Sequence, residues 1–140
     1  MSIQKYVKER YNNQVKWYDN KAIEYKRLAN IFQITIIVLA AITPILAALD
    51  QKIFTIITSA LVAIASGLLK YLKIEDHWHS YRTICETLRK EKHYYDFKIG
   101  EYEVAKDIDK LFVNRVESII SKENTQWLTT IKKKEQSKSR

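Results

Sequence analysis

Between Arg27 and Lys70 the chain carries only two charged residues, Asp50 and Lys52, which divide an otherwise uncharged stretch into runs of 22 residues (28–49) and 17 residues (53–69). As α-helices these runs are about 33 and 26 Å long, against a hydrocarbon core about 30 Å thick. The first spans a bilayer easily and the second only just. Leu, Ile, Val and Phe supply 12 residues of the first run and nine of the second. On an insertion scale they contribute about −4 to −7 and about −3 to −5 kcal/mol. Asn30, Gln33 and Pro44 oppose the first run; four hydroxyls and Gly67 oppose the second. The second span is therefore expected to insert with the first, as a hairpin turned at Asp50, Gln51 and Lys52.

A soluble bundle is the competing fold. A helix apolar on every side must be surrounded by protein or by lipid, and the rest of a 140-residue chain offers only narrow apolar stripes. Those stripes cannot wrap two such helices. The mean hydropathy of −0.31 averages over this segregation and hides it. Two glycines and one proline leave little turn chemistry, so the reading is all-α. The expected architecture is a transmembrane helical hairpin whose helices extend into a cytoplasmic bundle with a C-terminal amphipathic helix. Residues 1–130 form one domain in this reading, with spans at 28–49 and 53–69 and cytoplasmic helices over 3–27, 70–98 and 102–128. A basic tail, 131–140, has no apolar period and is expected to be disordered, serving as a solvated tail or a weak anchor on acidic lipid heads.

Orientation follows from the flanks. Lys8, Arg10, Lys16, Lys21, Lys26 and Arg27 precede the first run, and Lys70, Lys73, Arg82, Arg89, Lys90 and Lys92 follow the second, against a single Lys in the loop. By the positive-inside rule both termini are cytoplasmic, at the inner membrane of a bacterial cell. Lys26, Arg27 and Lys70 can snorkel, and Tyr25 and Tyr71 stand where interfacial aromatics belong. The first apolar run begins too late, and is too long, for a cleavable signal, so the N-terminus is expected on the mature protein. The net charge of +8 does not by itself choose between nucleic acid and anionic lipid. Beside two apolar runs it is read toward a bilayer with anionic lipids, and no nucleic acid is expected.

Outside the spans the apolar residues keep helical time. Tyr11, Val15, Tyr18, Ala22, Tyr25 and Ala29 form one seam; Tyr71, Ile74, Trp78, Tyr81, Cys85 and Leu88 form a heptad stripe that leaves the second span without a break signal. After Gly100, a third stripe of Val104, Ile108, Phe112, Val116, Ile119 and Ile120 marks a helix expected to fold back along the others.

Within the second span Thr55, Thr58, Ser59 and Ser66 fall in an arc of about 100°, beside a small-xxx-small ridge of Ser59, Ala63 and Gly67. Two readings stay open. Either this face packs inside the hairpin, or chains assemble with the hydroxyl line on a shared aqueous path. Neither span holds an ionisable side chain, which disfavours pumps and coupled transporters. Ala40, Pro44 and Ala48 give the first span a flat line suited to packing, or to a hinge.

No catalytic, cofactor or metal chemistry is legible. His77 and His79 in "HWHSYR" are two residues apart, about 200° around a helix, and cannot share a metal unaided. Cys85 and Glu86 make no nucleophile–base pair at helical spacing, and no Gly-rich phosphate loop, GxSxG or HExxH occurs. The lone cysteine excludes an internal disulfide. Trp17, Trp78 and Trp127, with Arg82, Glu86, Glu91, Arg115, Glu117 and Glu123, suggest a helical collar clamped by aromatic packing and ion pairs, or a groove for a partner.

"WYDNKA" (17–22), "HWHSYRTICETLRKEKHYY" (77–95), "GEY" (100–102) and "LFVNRVESIISKENTQW" (111–127) resemble the bacterial SLATT-type proteins and a closely similar membrane family known only as a domain of unknown function. The resemblance covers residues 5–130. It implies a two-transmembrane effector that perforates or perturbs the inner membrane in anti-phage or conflict systems, acting as a homo-oligomer with a separately encoded sensor or nucleotide-signal protein. Carried over by position, the family-like residues are Trp17, Tyr18, Lys21, Trp78, Tyr81, Arg82, Glu86, Glu117, Glu123 and Trp127, with roles in fold and assembly. A non-conducting anchor or scaffold that docks a cytoplasmic partner is the alternative.

Overall fold

Every regular element among the described residues is a helix, as the shortage of Gly and Pro predicts. The computed structural model describes the backbone of residues 2–138 and the side chains of residues 2–123 and 125. Helix α1 (Ile3–Tyr6) starts at Ser2, whose hydroxyl accepts from the Lys5 amide at 3.3 Å and caps it. A π-helical turn (Val7–Tyr11) leads into α2 (Asn12–Ala48), which takes Pro44 inside it. Then follow α3 (Lys52–Tyr71), α4 (Ile74–Phe97), the short α5 (Glu101–Val104) and α6 (Ile108–Lys138). Helices α2 and α3 are long and apolar enough to cross a membrane, and no residue in the most apolar 18-residue window of either is buried.

The residues group into two compact units, Met1–Tyr18 with Thr83–Arg140, and Asp19–Arg82, so that α2 and α4 each contribute to both. In the first unit the core consists of Tyr11, Tyr18, Cys85, Leu88, Tyr102, Phe112, Val116 and Ile120. Burying an aliphatic or Phe side chain contributes about 1.5–3 kcal/mol, and the four-residue step from Phe112 through Val116 to Ile120 puts three of them on one face of α6. In the second unit only Ala22, Ala29 and Ile74 are buried.

The connections close helices with left-handed residues that are not glycine. At the end of α2 the Asp50 amide donates to Ala47 (3.1 Å) and the Gln51 amide to Leu46 (3.0 Å), with Asp50 at φ 57°. The end of α4 repeats this pattern: the Lys98 amide donates to Tyr95 (3.3 Å) and the Ile99 amide to Tyr94 (3.0 Å), with Lys98 at φ 52°. Both are Schellman closures, which satisfy carbonyls otherwise left bare at a helix end.

The structure corrects the sequence reading in four places. First, the stripe after residue 70 does not continue unbroken: the chain turns at Leu72 and Lys73, with Lys73 at φ 49°. The break resets the phase, so Ile74, Cys85 and Leu88 are buried while Tyr71 is 83 % exposed. Second, Val104 ends α5 and is 83 % exposed rather than heading the seam of α6. Third, helix does not begin again at residue 102 and run on, because residues 105–107 separate α5 from α6. Fourth, α6 continues to Lys138 instead of ending near 128 in a disordered tail. No Gly or Pro follows residue 100, and Lys, Glu and Gln are good helix formers.

Candidate functional site

Half-buried residues on the two apolar helices recur at helical spacing: Phe32, Ile36, Leu39, Thr43 and Leu46 on α2, and Thr55, Thr58, Val62, Ala65 and Leu69 on α3. The Thr43 and Thr58 hydroxyls lie 3.0 Å apart and belong to both stripes, so these are the faces that meet. The hydroxyls are satisfied locally as well. Thr43 donates to the Leu39 carbonyl at 2.7 Å, Thr55 to Gln51 at 2.9 Å, Thr58 to Phe54 at 3.0 Å and Ser59 to Thr55 at 2.8 Å. Such bonds one turn back let a hydroxyl sit in an apolar helix without an unpaired polar group.

The predicted small and polar face therefore divides. Thr55 and Thr58 turn toward α2, whereas Ser59, Ala63, Ser66 and Gly67 are exposed. A Cβ built on Gly67 meets nothing within 4 Å. The ridge of Ser59, Ala63 and Gly67 is thus not the packing face between α2 and α3; the bulkier stripe through Val62 and Leu69 has that place. On the same two helices Ile34, Ile37, Ile53, Ile56 and Ile64 are each more than half exposed, Ile56 at 68 %.

The predicted collar residues fall in both units. In the unit of Met1–Tyr18 and Thr83–Arg140, the buried Tyr18 donates its hydroxyl to Glu123 at 3.0 Å, and Trp17 stands edge-on to Tyr18 at 4.9 Å between centroids while remaining 45 % exposed. Glu117 takes both Nε and Nη2 of Arg10, at 3.1 and 3.2 Å, and the Tyr6 hydroxyl at 2.8 Å. Glu86 is exposed on α4, and the side chain of Trp127 lies outside the described residues. In the unit of Asp19–Arg82, Lys21 pairs with Glu24 at 3.4 Å, Lys26 lies 5.6 Å over the Trp78 ring, and Tyr81 stacks on Tyr25 at 5.6 Å. Arg82 is exposed there. His77 packs on Tyr25 at 5.3 Å and His79 against Trp78 at 4.2 Å, so both imidazoles serve aromatic packing.

Sequence reasoning passed over the tyrosine hydroxyls, which are the main fasteners of the first unit. Tyr11 donates to the Leu88 carbonyl at 2.8 Å, Tyr95 to Asp109 at 2.6 Å, and Tyr102 to the buried Glu91, which also faces Arg115 at 3.5 Å. Arg115 in turn pairs with Glu101. Burial pushes the Tyr11 phenol up to about 12 against the nearby charge of Arg89, and burial followed by the bond to Asp109 pushes Tyr95 to about 12. Burial, reinforced by their carboxylate partners, also raises Tyr6 and Tyr102. Hydrogen bonding to Arg10 holds Glu117 below the usual carboxylate range, outweighing its partial burial. The signal in the sequence is compositional: all nine tyrosines lie outside the two uncharged runs. A ring that packs while its hydroxyl reaches a carboxylate suits a small bundle rich in acids.

Among the described residues no buried side-chain polar atom lacks a partner, so the buried polar groups serve to fasten the helices. No curated protein and no solved structure matches the chain. A model of a protein family of unknown function, DUF4231, matches residues 13–110, which take in α2 through α5, and the chain belongs to that family.

Proposed function

We propose that α2 and α3 cross the bacterial inner membrane as a hairpin, with both termini cytoplasmic, and that the protein is an oligomeric effector that forms a pore or perturbs the membrane in a defence or conflict system. The SLATT-like order of motifs motivates the effector role, and the excess of Lys and Arg on the flanks motivates the orientation. One observation carries the reading. The two helices expose many large apolar side chains, and a ridge of Ser59, Ala63 and Gly67 on α3 is exposed and has no partner among the described residues. In lipid, small residues at this spacing let a second helix approach closely. A homo-oligomer joined along this ridge, in contact with anionic lipids and answering to a separately encoded sensor, fits that surface. Two spans cannot enclose a pore alone.

Expression is expected to depolarise cells, and Gly67→Leu or Ser59→Leu to abolish the effect while the protein stays in the membrane fraction. An unchanged membrane potential on expression of the unaltered protein sinks the pore. Native mass measurement in detergent bears on assembly, because a monomer is incompatible with a shared path.

A second reading, the non-conducting anchor or scaffold that docks a cytoplasmic partner, draws on a different observation. Thr55 and Thr58 are spent on their own backbone and on Thr43, which shortens the hydroxyl line available to water. Recovery of one specific partner without conductance decides for it.

A further inference from the structure

The geometry points to a headgroup site for an aminophospholipid, a phosphodiester lipid bearing a free primary ammonium, in the cavity beside the break between α3 and α4. The inference rests on the proposed crossing of the bilayer by α2 and α3. The cavity has a volume of about 530 Å³ and lies wholly within the unit Asp19–Arg82. Its apolar wall is Ile36 and Leu69; its polar wall is Gln33, Ser66, Lys70, Lys73, Glu75 and Asp76.

Two features single it out. The hydroxyls of Thr35, Thr43, Thr55, Thr58 and Ser59 are all bonded to a carbonyl one turn back. By contrast, Ser66 and Gln33 make no side-chain hydrogen bond among the described residues. Two cations and two anions then share one cavity without pairing among the described residues, although Lys21 with Glu24 and Lys92 with Asp96 pair one turn apart elsewhere. Lys73 itself closes α3 in the left-handed conformation, at φ 49°, as Asp50 and Lys98 close α2 and α4.

The position suits a headgroup. Ile36 and Leu69 belong to the uncharged runs, and Lys70 is the first charge after the second of them. Acyl chains would lie along Ile36 and Leu69, with the phosphodiester held by Lys70 and Lys73 and by the Ser66 and Gln33 donors. The ammonium would be held by Glu75 and Asp76. The charges chosen are those of a zwitterion. Phosphatidylglycerol offers the two carboxylates no cation, and choline offers them no N–H.

The test uses the full chain in detergent, with phosphatidylethanolamine, phosphatidylglycerol and phosphatidylcholine added in turn and retention read by native mass spectrometry. Phosphatidylethanolamine should be retained over the other two by about fivefold, as expected for charge-assisted bonds gained only with the ammonium. Glu75→Gln with Asp76→Asn should invert the preference toward phosphatidylglycerol. Lys73→Gly should lower retention while raising thermal stability, an opposition that a merely structural lysine does not produce. Circular dichroism confirms that each variant keeps its helix. Equal retention of phosphatidylethanolamine and phosphatidylglycerol, or an unchanged preference in the double variant, overturns the site. Displacement of the lipid by millimolar inorganic phosphate reassigns the cavity to free phosphate and also overturns it. Alkaline carbonate separates the site from the bilayer crossing on which it rests. Protein released by carbonate sinks the bilayer reading and the site together, whereas protein retained without headgroup preference overturns the site alone.

Discussion

The two compact units solve opposite problems with one alphabet. The unit of Met1–Tyr18 and Thr83–Arg140 buries aromatic and aliphatic side chains and ties its acids to tyrosines and arginines. The unit of Asp19–Arg82 buries two alanines and one isoleucine and turns its large apolar residues outward. In the first, water drives apolar side chains inward. In the second, the same driving force is left unspent against water, which is the condition of a surface suited to lipid. The contrast teaches that burial, and not apolar content, separates a core helix from one that can cross a membrane.

Phe112 is where that contrast can be broken most decisively. Phe112→Ala removes a fully buried ring and should cost about 3–5 kcal/mol. Ile56→Ala, on a side chain 68 % exposed, should fall within about 0.5 kcal/mol in detergent. Denaturant titration of the two variants measures the difference, and comparable losses would erase the distinction between the units.

Alkali comes next. Burial pushes the Tyr11 and Tyr95 phenols up to about 12 in the fold, from about 10 in the unfolded chain. Their folded values are raised, so their stabilisation is complete below about pH 10 and is lost as pH rises toward 12. Hydrogen exchange followed across that window should show the amides around Leu88 and Phe112 losing protection before those of α3.

Smaller still, Lys98→Gly should stabilise the first unit by about 1 kcal/mol, because glycine takes φ 52° without a Cβ penalty. Thermal melting reads this directly. Glu117→Gln should cost less than Lys98→Gly gains, below about 1 kcal/mol, since its pair with Arg10 is well exposed to solvent. Its signature is in acid. The carboxyl is held below its ordinary value, so it stabilises above about pH 4.3 and the effect fades as pH falls through the lower folded value. The Gln variant should flatten that part of the stability profile.

Much of the helical pattern was legible, and the reasons for the misses are local. The seam Tyr11, Tyr18, Ala22 and Ala29 follows from spacing alone, because one turn of helix brings every third or fourth residue to the same side. The break at Lys73 was not legible, since lysine is an ordinary helix former and nothing but the backbone angle marks it. The inward face of α3 stayed open between two readings for a related reason. Small residues show where a helix can be approached, while the partner is chosen by complementary shape, here the half-buried stripe of Phe32, Ile36, Leu39 and Leu46 with Thr43 meeting Thr58. The tyrosine fasteners depend on long-range pairs such as Tyr6 with Glu117, 111 residues apart, for which no local period exists.

The interruption at Leu72 and Lys73 also bears on how such a chain can change length. One residue inserted within α2 turns every later side chain of that helix by about 100°, moving a whole seam off its face. A residue added at the two-residue break lengthens a turn and leaves the faces of α3 and α4 where they were. Register is therefore stored separately on either side of Lys73, and one residue inserted there is expected to disturb burial less than one inserted within α2.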